Sequence, residues 1–389
     1  MWSCLFYALF NFGWISVYLD HPFFQRSMKT FLRFSIVCLV IVTTVFTLSA
    51  CRKTPVKEKT FVELNGKLHV KGTQLINEHG DVVVLRGVSL GLHNFYPRLY
   101  NDSCVKWLAQ DWKCSVVRAA MAVDEEQTYK PGMKFSRSGT EGLDPEYPYI
   151  PNPGYAIWNI TKVADAAIRY GVYVIIDFHC NKIHLEDAKM FFTEIATKYK
   201  GIPNVMYEII NEPDETYTWP EVKAYSEEVI RAIHSIDPEK VILVGSSHLD
   251  QDLQAVADNP IGDQSNILYT MHFKAGFPKK DLRDRVASAM AKGLPVFVSE
   301  CGGTDVTGSA PVDKAEWSAY LNWMEDRKIS WVAWSLSDND DNCSMLKPEA
   351  SLNVLWPDSL IREWGKICKT AIKTKNMETL KHAAENQTK

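Results

Sequence analysis

Val205-Met206-Tyr207-Glu208-Ile209-Ile210-Asn211-Glu212-Pro213 is the stretch whose reading decides the fold. It runs as a buried apolar strand, Val205 to Asn211, and closes on an amide, a carboxylate and a proline that stops any continuing strand. The carboxylate of Glu212 is thereby left where a loop begins. Asn-Glu-Pro also occurs as a plain turn signal. A second stretch of the same design, Pro295-Val296-Phe297-Val298-Ser299-Glu300, favours chemistry instead: it too ends in a carboxylate, followed by Gly302 and Gly303. Glycoside hydrolysis needs two carboxyl groups facing each other across the scissile bond, and their separation decides the stereochemistry. The sequence can only ask whether the fold brings Glu212 and Glu300 together.

Working outward from these two strands, Val- and Ile-rich runs alternate with stretches of helical period. The runs are Val83 to Leu90, Ser115 to Met121, Val172 to His179, Val205 to Asn211, Val241 to Ser246, Ile267 to Phe273, Pro295 to Glu300 and Ser330 to Leu336. They read as fully buried parallel strands. The helical stretches are Asp102 to Asp111, Tyr155 to Tyr170, Leu185 to Tyr199, Trp219 to Ile236, Leu249 to Ala257, Leu282 to Lys292, Lys314 to Arg327 and Asp358 to Lys373. Eight such units predict an α/β fold, a (β/α)8 TIM barrel over residues 61–374, with a polar tail at 375–389. An open doubly wound sheet is the alternative, but no glycine-rich phosphate fingerprint follows the first strand. Phe61 to Val70 and Gln74 to Val82 read as a small N-terminal β-hairpin with Glu78 to Asp81 as its turn. In a barrel every strand end points to one mouth, so Glu212 after the fourth strand and Glu300 after the seventh meet there. Arg118, His179, His272 and Trp334 fall at ends of the same kind.

The 389 residues carry a formal charge of -4, with 46% hydrophobic and 12% aromatic side chains, a balance that calls for neither nucleic acid nor a highly charged partner. At the N-terminus, Met28, Lys29 and Arg33 precede the apolar run Phe34 to Leu48 and then Leu48-Ser49-Ala50-Cys51, the order of a secretory signal. A cysteine directly after the small residues resembles a bacterial lipoprotein signal, which predicts an exported, membrane-anchored lipoprotein carrying lipid on Cys51. A single signal-anchor helix is the alternative. Residues 1–51 are thus a leader, with Met28 the expected true start, and 52–60 a charged tether. Of nine cysteines, the six beyond Cys51 show no metal-ligand spacing. A long insertion, Tyr129 to Pro153, follows the second barrel strand and is expected to wall one end of the cleft.

The motifs VVRAAM, VIIDFH, VMYEIINEP, PVFVSE and WSLSD, in this order, resemble glycoside hydrolase family 5, in its bacterial cellulase branch. The resemblance runs from about Leu75 to Trp364. It implies a retaining endo-β-1,4-glucanase without metal or other cofactor, acting on β-glucan and expected as a monomer. It further implies Glu212 as acid/base, Glu300 as nucleophile, Asn211 on the sugar 2-OH and Trp334 under the reacting sugar. His179 and His272 resemble orienting and binding positions, and Arg118 is expected to hold the nucleophile ionised. The chain also departs from the pattern. Lys274 stands where the family's His-Phe-Tyr motif has a tyrosine on the nucleophile, and a lysine there either pairs with Glu300 or swings into solvent. His93 lies two residues beyond the family's first-strand histidine and is expected to serve in its place. Asn339 replaces a sugar-contacting lysine, and Cys301 replaces a tryptophan. These departures keep two further readings open: a relative acting on β-mannan, xyloglucan or mixed-linkage glucan, and a surface glycan-binding protein with impaired catalysis.

Overall fold

The computed structural model describes residues 59–124, 147–262, 264–276, 280–350 and 356–387. The described chain from Lys59 onward is one compact unit. The leader, Met28, Cys51, the tether up to residue 58 and most of the expected insertion, 129–146, lie outside the described residues.

The described chain opens differently from the expected hairpin. Phe61–Asn65 is a short helix, α1, because Thr60-x-x-Glu63 is a capping box: Thr60 Oγ1 accepts the Glu63 N–H at 3.2 Å and Glu63 takes the Thr60 N–H at 2.8 Å. The hairpin itself is short. β1 (His69–Lys71) pairs antiparallel with β2 (Gln74–Ile76), and its turn is at Gly72-Thr73, with Gly72 at φ 60°. The expected turn at Glu78 to Asp81 forms a second reversal, in which Asn77 Oδ1 accepts the N–H groups of His79 and Asp81.

Eight parallel strands follow and close on themselves: β3 (Arg86–Leu90), β4 (Val116–Ala122), β5 (Tyr173–His179), β6 (Val205–Glu208), β7 (Ile242–Val244), β8 (Ile267–Lys274), β9 (Val296–Gly302) and β10 (Trp331–Leu336). The predicted (β/α)8 barrel is the observed fold. Almost every strand residue is buried, since helices cover the outside and side chains fill the inside. The outer layer comprises α2 (Asp102–Gln110), α3 (Pro153–Tyr170), α4 (Leu185–Lys198), α5 (Trp219–Ile236), α6 (Leu253–Asp258), α7 (Lys280–Ala291), α8 (Lys314–Arg327) and α9 (Glu363–Gln387). Short polar side chains start several of them: Asn101, Asn152 and Asp313 each accept a backbone N–H of the first turn. The end of the insertion is fixed by Tyr149, whose ring packs against Phe178 and Phe191.

Three of the boundaries that differ from the sequence reading bear on the site or the barrel's end. β6 stops at Glu208, so Glu212 sits four residues past the strand rather than at its end. The expected helix Leu249 to Ala257 is broken, with His248, Leu249 and Asp250 at positive φ, because the Asp250 carboxylate turns inward to accept the Ser246 N–H (2.6 Å) and the Thr270 hydroxyl (2.5 Å). The expected polar tail continues α9 to Gln387. It stays helical against the barrel because buried Asn376 donates to the Arg86 and Lys113 carbonyls (3.2 and 2.8 Å) and accepts from the Arg86 guanidinium (3.1 Å).

Candidate active site

The C-terminal strand ends enclose a cleft of about 520 Å³, lined by Glu212, Glu300, His179, Asn211, His272, Lys274 and Trp334 among others. A larger groove of about 970 Å³ lies between α8 and α9, but neither glutamate borders it.

Beneath the cleft floor is a buried ion cluster. Arg118, wholly enclosed on β4, bonds both oxygens of Glu208 (2.7 and 3.2 Å), lies 2.9 Å from Asp177 and donates at 2.7 Å to Asn211 Oδ1. A guanidinium between facing carboxylates is the fork geometry that stabilises them most. Burial pushes the Glu208 carboxyl up, but Arg118 and His272 outweigh it and hold it at about 2. Asp177 goes the other way, raised by its burial despite Arg118 and the His179 Nδ1 contact at 2.7 Å. Since Asn211 Oδ1 is taken by Arg118, its NH2 group is the donor it still offers to the cleft.

Above this cluster sit the two glutamates. An oxygen of Glu212, a ring nitrogen of His272 and an oxygen of Glu300 all lie within 4.8 Å of one another. The register shift between β8 and β9 past Thr270 sets His272 opposite Glu300 and Lys274 opposite Gly302. His272 Nδ1 contacts Glu212 Oε1 at 2.8 Å, while Nε2 faces Ser299 Oγ at 2.8 Å and Asp250 at 3.3 Å. Burial lowers the His272 pKa, yet Asp250, Glu208 and Glu212 together raise it well above the ordinary value. Ser299 Oγ donates to Glu208 at 2.7 Å, which leaves its lone pairs to face the His272 Nε2. Glu300 is paired at 2.6 Å with Lys274. Burial pushes the Glu300 carboxyl up, and Lys274, followed by His272, Arg118 and His179, brings it down to about 2. Trp334, joined to Ser335 by a cis peptide, stacks on the His179 ring at 5.4 Å and 20°.

Two groups of metal-capable ligands occur among the described residues, Glu208-Asp250-His272 and Glu212-His272-Glu300. Neither offers a free donor set: the two His272 nitrogens face Glu212 and Ser299, Arg118 occupies Glu208 and Lys274 occupies Glu300.

The structure thus brings together Glu212, Glu300, His179, Asn211, His272, Lys274 and Trp334. Arg118 does help hold Glu300 ionised, from 3.6 Å, but its guanidinium is shared with Glu208, Asp177 and Asn211, and Lys274 stands nearer at 2.6 Å. One expectation is corrected. His93 cannot reach a sugar: it is fully enclosed, its Nδ1 accepts the Ala122 N–H at 3.1 Å, and burial drives its pKa down to about 3. Four groups were missed, Asp177, Glu208, Asp250 and Ser299. Glu208 and Asp177 did leave a signal, since a charge in the middle of an all-apolar strand requires a buried counter-charge, and Arg118 in Val116-Val117-Arg118-Ala119 is of the same kind.

A barrel with two carboxylates facing each other at its mouth, over a buried Arg-carboxylate cluster, is the architecture of a glycoside hydrolase. Residues 76–340 match the cellulase family, glycosyl hydrolase family 5, and the chain belongs to that family. It is 34% identical over 321 residues to an endoglucanase of Clostridium saccharobutylicum, covering 81% of this chain and 67% of that protein. To endoglucanase N of Pectobacterium atrosepticum it is 35% identical over 346 residues, covering 86% and 71%. Among solved structures, the catalytic domain of Thermobifida fusca endoglucanase Cel5A in complex with cellotetraose superposes with a TM-score of 0.72 at 32% identity, covering 81% of this chain and all of that one. A structure from Cytophaga hutchinsonii gives 0.76 at 35% identity, covering 83% and 100%. The protein is a glycoside hydrolase of the endoglucanase-like type.

Proposed function

We propose that the protein is a retaining endo-β-1,4-glucanase in which Glu300 is the nucleophile and Glu212 the acid/base. The observation that carries the reading is that one oxygen of Glu212 lies within 4.8 Å of one oxygen of Glu300, close enough to favour the retaining spacing. Retaining pairs stand roughly 5 Å apart, whereas inverting pairs leave roughly 6.5–9.5 Å for a water. Glu300, ionised under its ring of cations, attacks the anomeric carbon. Glu212, with about a quarter of its side chain exposed, gives its proton to the leaving oxygen and later takes one from water. The His272 ring, 2.8 Å from Glu212 Oε1, orients the Glu212 carboxyl, and Asn211 offers its amide N–H to the sugar 2-OH. The Trp334 face supplies the platform beneath the ring. The named relatives are endoglucanases, which supports β-1,4-glucan as substrate.

A second reading, a glycan-binding barrel with blunted catalysis, draws on the 2.6 Å pairing of Lys274 with Glu300. One assay decides. New reducing ends are followed on carboxymethyl-cellulose, mixed-linkage β-glucan, β-mannan and xyloglucan, with Glu212→Gln and Glu300→Gln beside the parent. Cutting of the β-1,4-glucans by the parent alone is expected; preferential cutting of mannan or xyloglucan reassigns the substrate, and binding without cutting favours the second reading. We further propose export as a lipoprotein anchored through Cys51, motivated by Leu48-Ser49-Ala50-Cys51. Radiolabelled palmitate should enter the parent and not Cys51→Ser, and equal labelling of both refutes the anchor.

A further inference from the structure

Lys274 is the last residue of β8, and its path across the cleft is set by the neighbouring strand. A Cβ placed on Gly302 would lie 2.7 Å from Lys274 Cδ and 3.7 Å from its Nζ. The lysine stem therefore runs over the one residue type that leaves it room. Its Nζ arrives 2.6 Å from Glu300 Oε1 and 5.9 Å from the centre of the Trp334 ring. The other basic side chains near Glu300 are committed elsewhere: Arg118 from β4 is locked by Glu208, Asp177 and Asn211, the His179 ring from β5 by Asp177, and His272 by Glu212. Lys274 alone of these is an ammonium on a four-carbon stem, and among the described residues its hydrogen bond goes to Glu300, with the charge of Glu212 and the Cys343 thiol as further titratable neighbours. Burial lowers its pKa, and these neighbours more than restore it, so the ammonium stays charged.

The reaction proposed above moves one negative charge between the two glutamates. In the first step a Glu300 oxygen bonds the anomeric carbon, the glycosidic bond breaks, and the departing oxygen takes the Glu212 proton. Glu300 is then a neutral ester and Glu212 an anion. In the second step water attacks the anomeric carbon, Glu212 takes the water proton, and the ester bond returns its electron pair to Glu300. We propose that Lys274 is a positioning residue that follows this charge, pairing with Glu300 before glycosyl transfer and with Glu212 after it. The 4.8 Å approach of the two carboxylates puts both ends of that excursion within a side-chain rotation. The inference rests on the glycosidase reading, and it assigns to Lys274 the stabilisation of the base that activates water.

The test uses the full chain and 2,4-dinitrophenyl β-cellobioside, whose good leaving group makes the first step fast. Parent, Lys274→Met, Lys274→Arg, Gly302→Ala and Glu300→Gln are compared by stopped flow and by pH profiles. With Lys274→Met, a burst of about one dinitrophenolate per protein is expected, after which kcat and KM are lowered together by about tenfold or more, the signature of a slowed second step. The acid limb of kcat/KM moves upward by about one pH unit, because Glu300 loses its nearest cation. Lys274→Arg restores both features in part. Gly302→Ala, which displaces the lysine stem while keeping its charge, moves the acid limb the same way, and so keeps the proposal testable should Lys274→Met not fold. An unchanged acid limb and no burst in Lys274→Met, or in Gly302→Ala where that is the folded variant, overturn the proposal, as does a faster Lys274→Met enzyme without a burst. A parent no faster than Glu300→Gln overturns the glycosidase reading itself, and the proposal with it.

Discussion

Arg118→Met isolates the buried cluster from the chemistry above it. Methionine matches the length of the arginine stem but removes a guanidinium that bonds both Glu208 oxygens, contacts Asp177 and fixes Asn211, all in a fully enclosed site. Removing one partner of a buried ion pair costs about 3–5 kcal/mol, since the other charge is left uncompensated. Two carboxylates share this cation, so the upper part of that range is expected, a fall in Tm on the order of 5–10 °C for a domain of this size. If the cost is the stranded charge and not the lost packing, Arg118→Met/Glu208→Leu must be more stable than Arg118→Met alone by about 1–3 kcal/mol. Thermal melts followed by tryptophan fluorescence at pH 7 measure both. A single-variant loss below about 1 kcal/mol, or a double variant no more stable than the single, refutes the account of the cluster.

Glu208 and Glu300 are held at about 2, against an ordinary 4.5, so their contribution to stability is full above the ordinary value and is lost as pH falls from about 4.5 toward 2. Asp177 and Asp250, raised by burial, offset part of it. Acid unfolding of Glu208→Gln should therefore be less steep than that of the parent, and an identical slope contradicts the assignment. Asn376→Ala removes three buried hydrogen bonds between α9 and the barrel bottom and should destabilise by about 2–3 kcal/mol in urea melts, with activity at 25 °C retained. Trp334→Ala removes the ring stacked on His179 and should lower kcat/KM on cello-oligosaccharides by about tenfold or more with the fold intact by circular dichroism; an unchanged value removes Trp334 from the site.

The barrel was legible because parallel strands buried on both faces must be apolar almost throughout, and eight such runs alternate with helical periods. The two glutamates were legible because a carboxylate at a barrel mouth interrupts that pattern visibly. What escaped was the charge inside the pattern. Glu208, Asp177 and Arg118 each sit among apolar neighbours, and only the β4-β5-β6 register shows that one arginine serves both carboxylates. Lys274 left two outcomes open from sequence, and packing over Gly302 settles them for pairing with Glu300. His93 misled because spacing along a strand end says nothing of depth; the loop that carries it folds inward under Tyr100 and Tyr155. The capping box at Thr60 and the inward turn of Asp250 are local hydrogen-bond choices that override the apolar period on which the hairpin and the Leu249 helix were read.

The central claim, that Glu300 attacks sugar while Glu212 handles protons, is tested most directly by trapping. The protein is incubated with 2,4-dinitrophenyl 2-deoxy-2-fluoro-β-cellobioside and examined by intact mass and peptide mapping. The account predicts a single fluorocellobiosyl group in ester linkage on Glu300, absent from Glu300→Gln. A label on Glu212, or turnover of β-glucan by a protein that never acquires one, contradicts it.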